Sequence, residues 1–125
     1  MKYLIDTNLL LWFAEGNEQI PIRIRELLLD EKSIIYVSMA TLWEIAIKQS
    51  LGKLKIPCPL EVFLDEIRWK YNFLILSIDE SHILKQSNLP FYHRDPFDRL
   101  IFAQSIVENL EFLYTDSVFD KYREL

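Results

Sequence analysis

Short apolar runs alternate along the chain with longer segments in which apolar residues recur at helical spacing. Four runs rich in β-branched and aromatic residues predict buried strands over residues 2–6, 33–38, 73–78 and 111–116. The segments between them predict helices over 9–15, 22–31, 41–52, 60–71 and 79–88, another from Asp95-Pro96, and a short last helix over 117–122. This alternation indicates an α/β fold: three α/β/α layers around a parallel sheet of four or five strands.

The composition limits what such a fold can do. At 125 residues, half of them hydrophobic, the chain predicts one globular domain over residues 1–125. Its two glycines, Gly16 and Gly52, are too few for the glycine-rich loops that bind nucleotide phosphates. No apolar run approaches the roughly 20 residues of a membrane helix, and the single Cys58 cannot form an internal disulfide. We therefore expect a cytoplasmic protein without membrane association.

Four carboxylates fall where the predicted strands lead into the following segments. Asp6 and Asp116 end the first and fourth strands. Glu44 lies in the opening turn after the second strand, and Asp98 lies in the first turn of the last long helix. Each acid alone has a structural explanation, because acidic side chains cap helices and favour the positive ends of helix dipoles. Thr41 and Glu44 in particular form a capping-box pattern.

Together the four acids point to chemistry. Ligands of parallel sheets bind at the carboxyl ends of the strands, so these acids are expected to share one cleft. At about 4 Å and an effective dielectric of about 20, each pair of like charges costs about 4 kcal/mol, a cost that a divalent cation reverses. Oxygen ligands favour Mg²⁺ or Mn²⁺ over zinc, and Mg²⁺ pairs carboxylates with phosphate oxygens. We predict a metal-dependent phosphoryl-transfer site whose catalytic residues and metal ligands are Asp6, Glu44, Asp98 and Asp116.

The acids lie in four short segments that follow one another in a fixed order: Tyr3-Leu4-Ile5-Asp6-Thr7-Asn8, Leu42-Trp43-Glu44-Ile45, Asp95-Pro96-Phe97-Asp98-Arg99 and Tyr114-Thr115-Asp116. These segments resemble the motifs of PIN-domain ribonucleases, particularly the VapC toxin branch, and His93 matches a common variant. The resemblance implies an Mg²⁺- or Mn²⁺-dependent endoribonuclease with Asp6 and Asp98 as the most direct ligands. It also implies products with a 5′-phosphate and a 3′-hydroxyl, a homodimer, and a small antitoxin partner.

Polar neighbours of the acids are candidates for supporting roles. Thr7 and Asn8 match the polar pair of the resembled family, and they either orient the first acid or cap the helix that follows it. Thr115 has the same relation to the last acid. Arg99 either pairs with a neighbouring aspartate or binds a phosphate, and His93 either positions its loop or contacts RNA.

The charge balance bears on RNA binding. A net charge of −5 argues against strong nonspecific affinity for phosphate, but without the four proposed ligands the rest of the chain carries only −1. Four basic residues are then candidates to bind the RNA backbone, although they fit equally well as solvated surface residues: Lys48, Lys53, Lys55 and Arg94.

Two apolar features bear on packing. The tryptophans fall within predicted helices, so we expect core or interface packing and not base stacking for Trp12, Trp43 and Trp69. The 9–13 segment is apolar all round its helix, which favours burial beyond one face and a homodimer contact there.

Two other functions stay open. One is a non-catalytic PIN-like module that binds a partner without cutting. The other is a phosphatase of the haloacid dehalogenase type, which also carries an acid after its first strand. Such phosphatases normally need a second aspartate two residues later, where this chain has Asn8.

Overall fold

A parallel sheet forms the centre of the computed structural model, which describes residues 1–124. Its strands are β1 (Lys2–Ile5), β2 (Ile34–Ser38), β3 (Leu74–Leu76) and β4 (Glu111–Leu113). They are ordered β3-β2-β1-β4, and every neighbouring pair is parallel. The predicted parallel α/β architecture is confirmed. Within residues 1–124 the sheet has four strands, the smaller of the two numbers that the sequence predicts.

Helices connect the strands and follow the predicted order. They are α1 (Thr7–Ala14), α2 (Ile22–Leu29), α3 (Met39–Ser50), α4 (Leu60–Asp65), α5 (Glu80–Ser87) and α6 (Pro96–Val107). After α4 the chain continues as a π-helical turn over Glu66–Lys70, and a 3₁₀ helix spans Ser117–Glu124. Across residues 1–124, no helix is long and apolar enough to cross a membrane.

Helices cover both faces of the sheet. Ile5 of β1 packs in a buried cluster with side chains of α1, α2, α3 and α4. Its neighbour Leu4 packs in a second cluster with side chains of α6 and the C-terminal 3₁₀ helix, including Phe119. Neighbouring residues of a strand point to opposite faces, so the two clusters form the two interlayer cores. The three-layer prediction is confirmed.

The start of α3 differs from the sequence prediction. The helix begins at Met39, and Ser38, the last residue of β2, is its N-cap: the Ser38 hydroxyl accepts a hydrogen bond from the Ala40 amide. The prediction of a capping box formed by Thr41 and Glu44 is therefore wrong. Glu44 lies in the second turn of α3, not in the opening turn. The strand leads directly into the helix because Ser38 satisfies one of the first free amides itself.

The aromatic and apolar predictions have mixed outcomes. Leu9 and Leu10 are fully buried, and the partly buried residues 11–13 pack against the same cluster. The homodimer contact at this segment stays a prediction. Core packing is wrong for Trp43 and Trp69, which are 59% and 75% exposed. Trp43 makes an edge-to-face contact with Phe97, and interface packing stays open for both tryptophans.

Candidate active site

One cleft lies at the carboxyl ends of the central strands, and all four predicted acids line it: Asp6, Glu44, Asp98 and Asp116. The remaining lining residues are Thr7, Asn8, Leu11, Lys48, Asp95 and Thr115. The fold therefore brings together side chains that are up to 110 positions apart, because parallel strands end at the same edge of the sheet.

Asp6 combines a structural role with a place in the cleft. One carboxylate oxygen caps α1 by accepting the Leu9 amide at 2.7 Å, and the other accepts the Thr115 amide at 3.1 Å. Burial nevertheless raises the pKa of Asp6 to about 6, and repulsion from Glu44 and Asp116 adds to the effect of burial. Each oxygen keeps a lone pair beyond these hydrogen bonds, so capping does not prevent metal coordination.

Glu44 reaches the cleft from α3 and is held through both of its oxygens. The Thr7 hydroxyl donates to Oε1 at 2.7 Å, and the Thr41 hydroxyl lies 3.0 Å from that of Thr7. Lys48, one turn later, places Nζ 2.8 Å from Oε2. This hydrogen bond raises the pKa of Lys48, whose side chain is about half exposed. Lys48 is thus a counter-charge within the acidic cleft.

Asp98 lies in the first turn of α6, which Asp95 caps. The Asp95 carboxylate accepts the amides of Phe97 and Asp98 at 2.8 and 3.2 Å. Asp98 itself faces the cleft, and burial raises its pKa to about 7. Four nearby carboxylates add to this shift through repulsion: Asp95, Glu44, Asp6 and Asp116.

His93 contacts two of the four acids. Its Nε2 lies 3.0 Å from Oδ2 of Asp116 and 3.2 Å from Oδ2 of Asp98. From the sequence, His93 either positions its loop or contacts RNA. Nothing in the local pattern indicates its contact with Asp116, which lies 23 positions later. Elsewhere in the cleft lining, the Asn8 amide donates to the Thr115 hydroxyl at 2.9 Å.

The donor set of the cleft fits a hard divalent cation. All four candidate ligands are carboxylates, and two of them have raised pKa values that reflect burial and mutual repulsion. A cation would remove that repulsion and favour the charged forms.

A second group of possible ligands lies outside the cleft. In the part of the chain that the structure describes, Asp79, His82 and Glu108 form the one group of three or more such side chains whose ligand atoms lie within 4.8 Å of one another. Both ring nitrogens of His82 are already engaged: Nδ1 accepts the Asp79 amide at 3.0 Å, and Nε2 lies 2.7 Å from the Glu108 carboxylate. We attribute this group to the cap of α5 and its attachment to α6.

The predicted RNA-binding residues are spread over the surface. Lys48 lines the cleft, whereas Lys53 and Lys55 are exposed residues beyond α3 that are not part of its lining. Arg94 lines a separate groove together with Phe91. The structure therefore brings only one of these four basic residues into the acidic cleft.

Arg99 does not have the position that the sequence suggested. It is 4% exposed, and its guanidinium donates to the backbone carbonyls of Pro90, Gln86 and Leu89 at 2.8, 3.0 and 3.2 Å. The expected pairing with a neighbouring aspartate is wrong. Three carbonyl oxygens converge at the end of α5 and in the loop after it, and the five N–H groups of an arginine can donate to several of them at once.

Replacing Arg99 tests this structural role. We expect Arg99→Lys to lower the free energy of unfolding by about 2 kcal/mol, because an ammonium cannot replace a planar guanidinium at three separate carbonyls. Urea denaturation measures the loss. Arg94→Lys, an exposed neighbour, is the matched control and should change stability by less than about 0.5 kcal/mol. Equal stability of Arg99→Lys and the unmodified chain would contradict the assignment.

Comparison with known proteins agrees with the geometry. The PIN domain family model matches residues 3–125, almost the whole chain. No curated protein matches the sequence. The fold is similar to that of a chain in the crystal structure of VapBC2 from Rickettsia felis bound to a DNA fragment from their promoter, with a TM-score of 0.68 and 18% identity over 97% of this chain and 92% of that chain. The chain belongs to the PIN domain family.

Proposed function

We propose that the protein is an endoribonuclease that hydrolyses RNA phosphodiester bonds with the aid of Mg²⁺ or Mn²⁺. One observation carries this proposal: a cleft in a PIN domain collects four carboxylates, and burial and repulsion raise the pKa of two of them. The residues assigned to the metal and to catalysis are Asp6, Glu44, Asp98 and Asp116.

The other residues of the cleft would orient these ligands. The Thr7 hydroxyl fixes one oxygen of Glu44, and the Thr115 amide fixes one oxygen of Asp6. Asn8 holds the side chain of Thr115. Bound divalent ions would activate water for attack on phosphorus and offset charge on the leaving oxygen. Because hydrogen bonds already hold Glu44 and Asp6, these side chains need little reorganisation when such an ion binds.

Metal dependence is the first test of the proposal. Purified protein is incubated with total RNA in Mg²⁺, Mn²⁺ or EDTA, and the new ends are mapped. We expect discrete cuts with 5′-phosphates in the presence of metal and none in EDTA. Equal cutting in EDTA would contradict the mechanism. Saturable metal binding without cutting of any RNA would favour the alternative function, a PIN module that binds without catalysis.

We also propose that Lys48 binds the RNA backbone, since its half-exposed ammonium lies at the cleft. In an Asp98→Asn background, in which cleavage is expected to be slow, Lys48→Met should weaken binding for all sequences alike. It should lower the salt slope of the binding constant by about 0.7, the value for one phosphate contact on a single strand. Filter binding between low and moderate salt measures the slope. Lys32→Met, before β2 at the opposite end of the sheet, should leave it unchanged.

RNA contacts of Lys53, Lys55 and Arg94 stay predictions, because these residues lie outside the cleft lining. An unchanged salt slope in Lys48→Met would contradict the contact proposed for Lys48.

The phosphatase alternative is not retained, because the chain belongs to the PIN family and has Asn8 where such phosphatases need a second aspartate.

In cells we propose the role of the toxin in a toxin–antitoxin pair of the VapBC kind, with a small antitoxin protein as partner. The likeness in fold to a chain of the VapBC2 structure supports this role. A homodimer would cover apolar side chains that are exposed in the single chain, among them Met39 and Trp43 of α3. Cytoplasmic localisation stays a prediction of the sequence.

A further inference from the structure

We propose that His93 is a positioning residue that sets the orientation of one metal-binding carboxylate, Asp116, next to another, Asp98, and that the C-terminal 3₁₀ helix holds His93 in place. The proposal rests on the metal site of the proposed function. It assigns a role in the active site to a histidine outside the acidic quartet and to a chain segment beyond the last strand.

The hydrogen bonds of the ring determine which nitrogen faces the acids. Nδ1 of His93 accepts the backbone amide of Asp95 at 3.1 Å. In a neutral imidazole the proton is then on Nε2. Nε2–H then donates to Oδ2 of Asp116 at 3.0 Å, and Oδ2 of Asp98 lies 3.2 Å from the same nitrogen. The ring thus holds the acid that follows β4 and lies next to the acid of α6.

The C-terminal 3₁₀ helix forms the support behind the ring. The ring of Phe119 lies 5.0 Å from the His93 ring, centroid to centroid, at an interplanar angle of 34°. The Tyr122 hydroxyl accepts the His93 amide at 3.1 Å and donates to the Pro90 carbonyl at 2.6 Å. Phe119 and Tyr122 are both buried, so this support belongs to the core.

The direction of the Nε2–H group indicates a role beyond loop structure. The His93 amide and Nδ1 already fix its loop, whereas Nε2 faces two carboxylates of the cleft. Asp98 and Asp116 repel each other, and the positive end of the N–H group beside both offsets that repulsion. The hydrogen bond also limits how far the Asp116 carboxylate can rotate. Groups that hydrogen-bond to metal ligands typically contribute 10- to 100-fold to metal affinity.

Mn²⁺ titration calorimetry on the purified protein tests the proposal with three variants. His93→Phe keeps an aromatic ring against Phe119 but has no donor, and we expect about 10- to 100-fold weaker Mn²⁺ binding. His93→Gln restores an N–H group and should recover part of the loss. Tyr122→Phe removes the hydroxyl that holds the His93 backbone and should weaken binding in the same direction by a smaller factor. Circular dichroism verifies that each variant is folded.

Unchanged Mn²⁺ affinity in folded His93→Phe, or in Tyr122→Phe if His93→Phe does not fold, would overturn the proposal.

A second readout does not depend on metal: imidazole ¹⁵N signals of the unmodified protein in EDTA should show a protonated Nε2 and an unprotonated Nδ1 for His93. The opposite tautomer would overturn the proposal even if Mn²⁺ binds. Absence of saturable Mn²⁺ binding in the unmodified protein, with the expected tautomer, would instead contradict the proposed function.

Discussion

Asp98→Asn is expected to slow metal-dependent RNA cleavage by about 100- to 1,000-fold while leaving the fold intact. Asparagine matches the size of aspartate but supplies no negative charge to hold a cation, and one electrostatic contact of this kind is typically responsible for several kcal/mol of the barrier. Initial rates in Mn²⁺, on an RNA cut by the unmodified protein, measure the loss.

The matched control for this variant is Asp79→Asn. Asp79 is likewise an acid at the start of a helix, the N-cap of α5, but it lies outside the cleft. Asparagine is an equally good cap, so this variant should cleave at the rate of the unmodified chain. Wild-type cleavage by Asp98→Asn, with metal still required, would remove Asp98 from the site.

A second large effect is expected in the pH dependence of stability. In EDTA, the melting temperature should fall by about 5 °C or more between pH 5 and pH 8. The pKa values of Asp6 and Asp98 are raised to about 6 and about 7 in the folded chain, from an ordinary value of 3.8. Between pH 4 and 7 the folded state therefore keeps protons that the unfolded chain has released. Stability declines over that range and levels off above it.

Metal should reverse this decline. At pH 8, Mn²⁺ at about 100 times its dissociation constant should add about 2.7 kcal/mol to the free energy of unfolding, because it binds the folded state alone. Asp98→Asn in EDTA should show a shallower decline with pH, since one of the two titrating carboxyls is gone. Thermal melts across pH 5–8 measure both effects. A melting temperature that stays constant over this range in EDTA would contradict the electrostatic description of the cleft.

Much of this architecture is readable from local sequence. The strands and helices follow from apolar periodicity, and a parallel sheet follows from their alternation. Asp6 and Asp116 lie in the same cleft because each follows a strand of one parallel sheet, and the carboxyl ends of such strands lie at the same edge. These features depend on spacing within a few residues or on a general rule of topology, so no long-range contact has to be known beforehand.

The sequence does not predict features that tertiary contacts determine. Ser38 and Thr41 are both good helix caps, and the direct passage of β2 into α3 selects Ser38. Arg99 stands beside Asp98 in sequence, but its guanidinium donates to carbonyls at the end of α5 and in the loop after it. The position of His93 depends on a 3₁₀ helix more than 20 residues later, which no local pattern reports.

The central claim is that the acidic cleft holds a divalent cation, and Mn²⁺ titration calorimetry with matched aspartate variants tests it most directly. The account predicts saturable binding in the unmodified chain and in Asp79→Asn, and at least about 10-fold weaker binding in Asp98→Asn. Binding that persists in Asp98→Asn but is lost in Asp79→Asn would contradict it. That result would place the ion at the group formed by Asp79, His82 and Glu108.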